Sequence, residues 1–184
     1  MNVLVFGIDH EIQMVDAWRS AAMKAAYRAL LTSKIQQNGI QFIGEEAPPA
    51  GQTVAHSLTA ELALPRPWRN IDVPEQARRD AGIYDEQTER VSVRQPGIVQ
   101  THFAPGGFYL DLKNGSHEFC PRVPSDDVKE GYMIARALEG AGEAGNIMIL
   151  CGNLHVEGLA ERFGIHGDNV TTDAVYNYGW YDPG

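Results

Sequence analysis

Three short segments, residues 2 to 8, 40 to 44 and 146 to 151, are apolar at nearly every position rather than at alternate ones. A strand with one face in water alternates. A continuous apolar run is buried on both faces, as in a parallel sheet covered by helices. Between the first two runs, Ile12, Val15, Trp18, Ala22, Ala25, Ala26 and Leu30 recur at helical spacing, and Asn38-Gly39 supplies a stop. This predicts a helix over residues 12 to 37. Strand, helix, strand is a crossover long enough to join parallel strands.

The chain therefore reads as one α/β domain over residues 1 to 184, with a mostly parallel central sheet flanked by helices. The three apolar runs should be the central strands, with Ile12, Val15 and Trp18 packed on them. Residues 68 to 73 read as a further strand. Residues 53 to 64, 74 to 81 and 125 to 140 read as helical, the first capped by Thr53. Residues 152 to 163 read as a turn and a helix ending at Gly164. The stretch from about 84 to 125 is dense in Gly and Pro and reads as long and irregular. It has room for a hairpin from Phe108 to Leu112 turning at Asn114-Gly115, and resembles a lid or binding loop. The tail from residue 170 onward shows no firm pattern. Its aromatic run, Tyr176 to Tyr181, needs a surface to cover, which predicts a homodimer.

Charge narrows the partners. The 24 acidic residues outnumber 15 basic ones, for a formal charge of −9, and no basic stripe is visible. That argues against nucleic acid and anionic membranes as partners. No apolar run is long enough to cross a bilayer, and the N-terminus lacks a secretory leader pattern. Two cysteines, Cys120 and Cys151, are too few for a disulfide framework and fit a reducing compartment. A cytoplasmic location is the expectation.

Two turns carry the chemistry. Gly7-Ile8-Asp9-His10 follows the first strand, and Gly152-Asn153-Leu154-His155 follows the strand ending at Cys151. Ligands of parallel α/β sheets bind at the carboxyl ends of the strands, where both histidines would stand. Glycine permits the sharp turn and close backbone approach that such an edge needs. The second strand ends in Glu45-Glu46. Adjacent side chains of an extended chain point to opposite faces, so one glutamate should enter the site and the other turn away. Two imidazoles and a carboxylate suit either acid–base chemistry or a divalent metal, with His10, Glu45 and His155 as a ligand set for zinc, manganese or cobalt. Asp9, Glu11, Asp72 and Glu157 are further carboxylates near this edge. His56, His102, His117 and His166 lack the strand-and-glycine context.

At these residues the chain resembles the TraB/Tiki, ChaN-like and erythromycin-esterase superfamily. The segment Met148-Ile149-Leu150-Cys151-Gly152-Asn153-Leu154-His155, continuing to Leu159, is similar to its C-terminal signature, as is the helix from Lys129 to Leu138 before it. The likeness covers both ends and the second strand, about half the chain. It implies a hydrolase of a small molecule or peptide using His10, His155 and Glu45 or Glu46, with a metal in one branch and none in another. Where that family often has an arginine, Lys129-Glu130 stands here, with Arg136 further along and Arg79 elsewhere. Asp9, Asp72, Arg79 and Lys129 are thus the candidate substrate contacts. The alternative is a sensor that holds a small ligand in the same crevice without chemistry.

Overall fold

The structure is a computed structural model, and it describes residues 1–15, 20–48, 52–80, 98–104 and 106–181. In chain order its elements are β1 (Asn2–Ile8), α1 (His10–Gln13), α2 (Ala21–Gln37), β2 (Phe42–Glu45), α3 (Val54–Glu61), β3 (Arg69–Asn70) and α4 (Glu75–Asp80). Then follow β4 (Ile98–Ala104), β5 (Gly107–Leu112), β6 (His117–Pro121), α5 (Pro124–Ala141), β7 (Asn146–Gly152), α6 (Asn153–Ile165), β8 (Asn169–Ala174) and a 3-10 turn, Val175–Asn177.

The main sheet is parallel throughout, in the order β3-β2-β7-β1-β8. The three apolar runs occupy its centre. Their side chains alternate between two buried layers. Phe6, Ile8, Ile43 and Leu150 face Tyr27, Leu31 and Leu58 of α2 and α3. Val5, Phe42, Ile149 and Cys151 face Met133, Ala137, Val156 and Phe163 of α5 and α6. Burial on both faces is what the unbroken apolar pattern requires.

Among the described residues the expected helix from 12 to 37 is two helices, α1 and α2. After α1 the backbone is extended at Met14, which bridges to Thr53, and Val15 N–H bonds Gln52 C=O. Ser20 then caps α2, its hydroxyl accepting from Met23 N–H at 3.2 Å. Ile12 is buried as expected, but Val15 is 39% exposed and does not pack on the sheet. Trp18 lies outside the described residues.

Within the stretch from 84 to 125, the described residues from 98 to 121 are ordered as an antiparallel sheet, β4-β5-β6, rather than irregular. Of the glycines that read as loop, Gly106 and Gly115 stand at its turns. Gly115, at φ +82°, closes the hairpin from β5 to β6. Alternation gives this sheet one apolar face. Phe108, Leu110 and Cys120 pack with Leu154 and Tyr176, while Tyr109 and Phe119 stay exposed. Glu157 accepts a hydrogen bond from Gly107 N–H at 2.8 Å and ties this sheet to α6. The remaining residues of the stretch before position 98 lie outside the described residues.

The aromatic tail is covered by its own chain. Tyr181 is buried, with Tyr176, Tyr178 and Trp180 packed on the α2–α3 layer. Tyr178 donates to Asp173. Among the described residues, no helix is long and apolar enough to cross a membrane.

Candidate active site

The alternation that builds the core also separates the two glutamates at the end of β2. Glu45 follows Ile43 onto the α2–α3 face, and Glu46 turns toward α5 and α6. Glu45 is fully buried. It accepts from Gln13 Nε2 at 2.8 Å, Thr53 Oγ1 at 2.5 Å and Trp68 Nε1 at 2.6 Å. Thr53 thus serves twice, since its hydroxyl also caps α3 by accepting from His56 N–H. Burial pushes the Glu45 carboxyl up to about 7, against the opposing pull of Thr53, Gln13, Trp68 and His10.

Glu46 is the glutamate that meets the histidines. Its Oε1 accepts from Lys129 Nζ at 2.5 Å, and its Oε2 accepts from Gly152 N–H at 2.8 Å. His10 Nε2 lies 3.7 Å from the same Oε1, and His155 Nε2 lies 3.8 Å from it. The two imidazole nitrogens are therefore no farther apart than those distances laid end to end. Burial disfavours charge on Glu46, but Lys129, His155 and His10 outweigh it and hold the carboxyl well below its ordinary range.

The two Gly-x-x-His turns interlock. β1 and β7 are neighbours, with Gly7 opposite Cys151 and Ile8 opposite Gly152. A Cβ on Gly7 would stand 2.0 Å from Asn153 Oδ1, inside the second turn. A Cβ on Gly152 would stand 3.1 Å from His10 Nε2, from the first turn. Each glycine leaves room for the other motif, which explains why the residue recurs at both places.

Both imidazoles are held by Nδ1 and present Nε2 to Glu46. Gln13 Nε2 donates to Glu45 Oε1 and, at 2.7 Å, to the Glu46 carbonyl. That fixes the amide, so its oxygen faces His10 Nδ1 at 3.1 Å and receives that proton. In its neutral form His10 then keeps an open lone pair on Nε2. His155 Nδ1 faces Glu130 Oε1 at 3.2 Å, with Asp126 Oδ1 3.8 Å away. His155 is buried, whereas the His10 side chain is 47% exposed at the mouth of the site.

Lys129 is brought to the site, and Asp72 Oδ1 lies 3.7 Å from its ammonium. Arg78 rather than Arg79 holds Asp72, at 2.8 and 2.9 Å, while Arg79 is exposed on α4. Asp9 caps α1 through Glu11 N–H and accepts from the Tyr181 hydroxyl, which makes it a tether between the first turn and the tail. Gln13 and Glu130 were not candidates from sequence, although Gln13 stands one helical turn past His10. Glu130, fully buried, binds Arg122 at 2.7 Å as well as His155.

The residues as arranged do not fit a divalent ion. Glu45, in the expected ligand set, points away, and Glu46 Oε1 already has the Lys129 ammonium as its cation. Among the described residues no group of three or more His, Cys, Asp or Glu is placed to hold a metal. Comparison with protein-family models, curated proteins and solved structures yields no match for this chain.

Proposed function

We propose that the protein is a cytoplasmic hydrolase of small molecules or peptides, of the kind found in the superfamily its turns resemble, working without a resident metal. The observation that carries this reading is the convergence of His10 Nε2 and His155 Nε2 on the Glu46 oxygen that holds Lys129. His10 is the general base, because it is the imidazole open to solvent and its Nδ1 proton is already committed to Gln13. It takes a proton from water as the hydroxide adds to the substrate carbonyl, and returns that proton to the leaving group. The Lys129 ammonium faces the charge that develops on the carbonyl oxygen. Glu46 holds Lys129, and His155, set against the same Glu46 oxygen, closes the rear of the site.

A panel of chromogenic esters and amides tests this with the wild-type chain, His10→Ala, Glu46→Gln and His155→Ala, each with and without EDTA or added zinc, manganese and cobalt. The expected result is EDTA-insensitive turnover that falls at least ~100-fold in His10→Ala, the contribution of a general base. Turnover unchanged in His10→Ala would refute the reading. Turnover seen only with added metal would refute its metal-free form. A small molecule released intact from the purified protein, with no turnover of any substrate, would favour a binding protein instead.

A further inference from the structure

Next to Glu46 the sheet edge opens into a cleft of about 650 Å³, a volume suited to a small organic ligand. Ala47, the residue after Glu46, lines it together with Asn70, Asp72, Arg78, Tyr132 and Arg136. Asp72 connects it to Lys129.

The hydrogen-bond inventory of this lining is one-sided. Its acceptors are consumed within the protein. Asn70 Oδ1 accepts from the N–H groups of Ala47 and Asp72, and Asn70 Nδ2 donates to the Ala47 carbonyl. The Asp72 carboxylate accepts from Val73 N–H and from Arg78 Nη2 on both oxygens. Among the described residues the donors are left in surplus. Arg78 uses Nε on the Val73 carbonyl and Nη2 on Asp72, which leaves Nη1. Arg136 uses Nη1 on the exposed Glu139, which it shares with Arg69, and keeps Nε and Nη2. The Tyr132 hydroxyl makes no hydrogen bond among the described residues. In a chain of formal charge −9 this is a local excess of cation and donor. Guanidinium forks match the oxygens of a carboxylate or phosphate.

We infer that this cleft binds an anionic oxygen group of the substrate, a carboxylate or phosphate, through Arg136, Arg78 and Tyr132, and directs the scissile bond toward Glu46 and Lys129. The second half of that statement rests on the hydrolase reading; the binding of the anion does not.

Calorimetric titration of the full chain with glutarate, inorganic phosphate and uncharged dimethyl glutarate separates the two. The same titrations are run on Arg136→Gln and Tyr132→Phe, two partly exposed positions whose changes leave the Asp72–Arg78 pair in place. Hydrolysis of 4-nitrophenyl hemiglutarate and 4-nitrophenyl butyrate is measured in parallel. Saturable binding of glutarate or phosphate, absent for the diester and weakened about tenfold or more in Arg136→Gln, supports the inference. The tighter of the two anions identifies the group. A drop of similar size in the hemiglutarate-to-butyrate ratio of kcat/KM in that variant supports its catalytic half. Anion binding with no ester turnover leaves the cleft assigned and removes the hydrolase. Absence of saturable binding for both anions, or binding indifferent to both substitutions, overturns the inference even if His10-dependent ester hydrolysis is found.

Discussion

Between about pH 4.5 and pH 8 the fold should lose stability, and Glu45 is the reason. Its carboxyl is buried on every side, and burial lifts it from an ordinary 4.5 to about 7 in the native state. The unfolded chain releases this proton near 4.5 and the folded chain keeps it until about 7. In that window the native state binds more protons, so stability falls as pH rises. Below 4.5 both states are protonated and the contribution is complete; above about 7 both are ionised and it is gone. At about 1.4 kcal/mol per tenfold in proton affinity, the change is about 3 kcal/mol, a substantial part of the 5–15 kcal/mol typical of a domain. Glu46 runs the other way. Its native value is depressed, so it contributes above its unfolded value and loses that contribution on acidification. Urea unfolding of the wild-type chain and Glu45→Gln across this range isolates the Glu45 part, because Gln cannot ionise. The wild-type advantage over the variant should shrink by about 3 kcal/mol from acid to alkaline pH. A difference that is flat, or that grows with pH, would refute the assignment of burial as the dominant effect on Glu45.

Lys129→Met leaves the Glu46 carboxylate buried without its cation and should cost about 3–5 kcal/mol by urea unfolding, most of it recovered when Glu46→Gln is added. Gly7→Ala should cost about 1–3 kcal/mol in the same assay, because its Cβ meets Asn153 Oδ1 at 2.0 Å. Gly152→Ala, at a φ that alanine adopts, should cost less than about 1 kcal/mol yet lower hydrolytic kcat by displacing His10 Nε2, 3.1 Å from the new Cβ. Gln13→Leu removes the acceptor of His10 Nδ1 and the donor to Glu45 and the Glu46 carbonyl. It should cost about 1–3 kcal/mol and raise the share of the Nε2–H tautomer in the ¹⁵N spectrum of His10. An unchanged tautomer ratio would contradict the role given to Gln13.

Much of the frame was legible because local pattern reports burial. β1, β2 and β7 stand out as continuous apolar runs because both their faces are covered, and Thr53 and Asn38-Gly39 mark helix ends by their own chemistry. β8 was not legible. It is the outer strand beside β1, exposed along much of its length, and Val-Thr-Thr-Asp carries no apolar run. The break after α1 was hidden because Val15 continues the helical spacing while the backbone at Met14 is held extended by pairing with Thr53. The sheet from 98 to 121 was obscured by the density of Gly and Pro in the sequence around it, of which Gly106 and Gly115 stand at its turns.

By itself, the sequence determined that two histidines and a glutamate pair stand at the carboxyl ends of buried parallel strands, because strand period and glycine turns are local properties. Only the tertiary structure decided which glutamate serves. Alternation guarantees that Glu45 and Glu46 face opposite layers, but which layer carries the histidine depends on where α5 and α6 pack. The same packing brings Lys129 to Glu46 across 83 positions of sequence and Glu130 to His155 across 25. Charge pairing at that separation leaves no periodic trace. It arises when β7 inserts between β1 and β2 and sets one turn into the space left by the other's glycine.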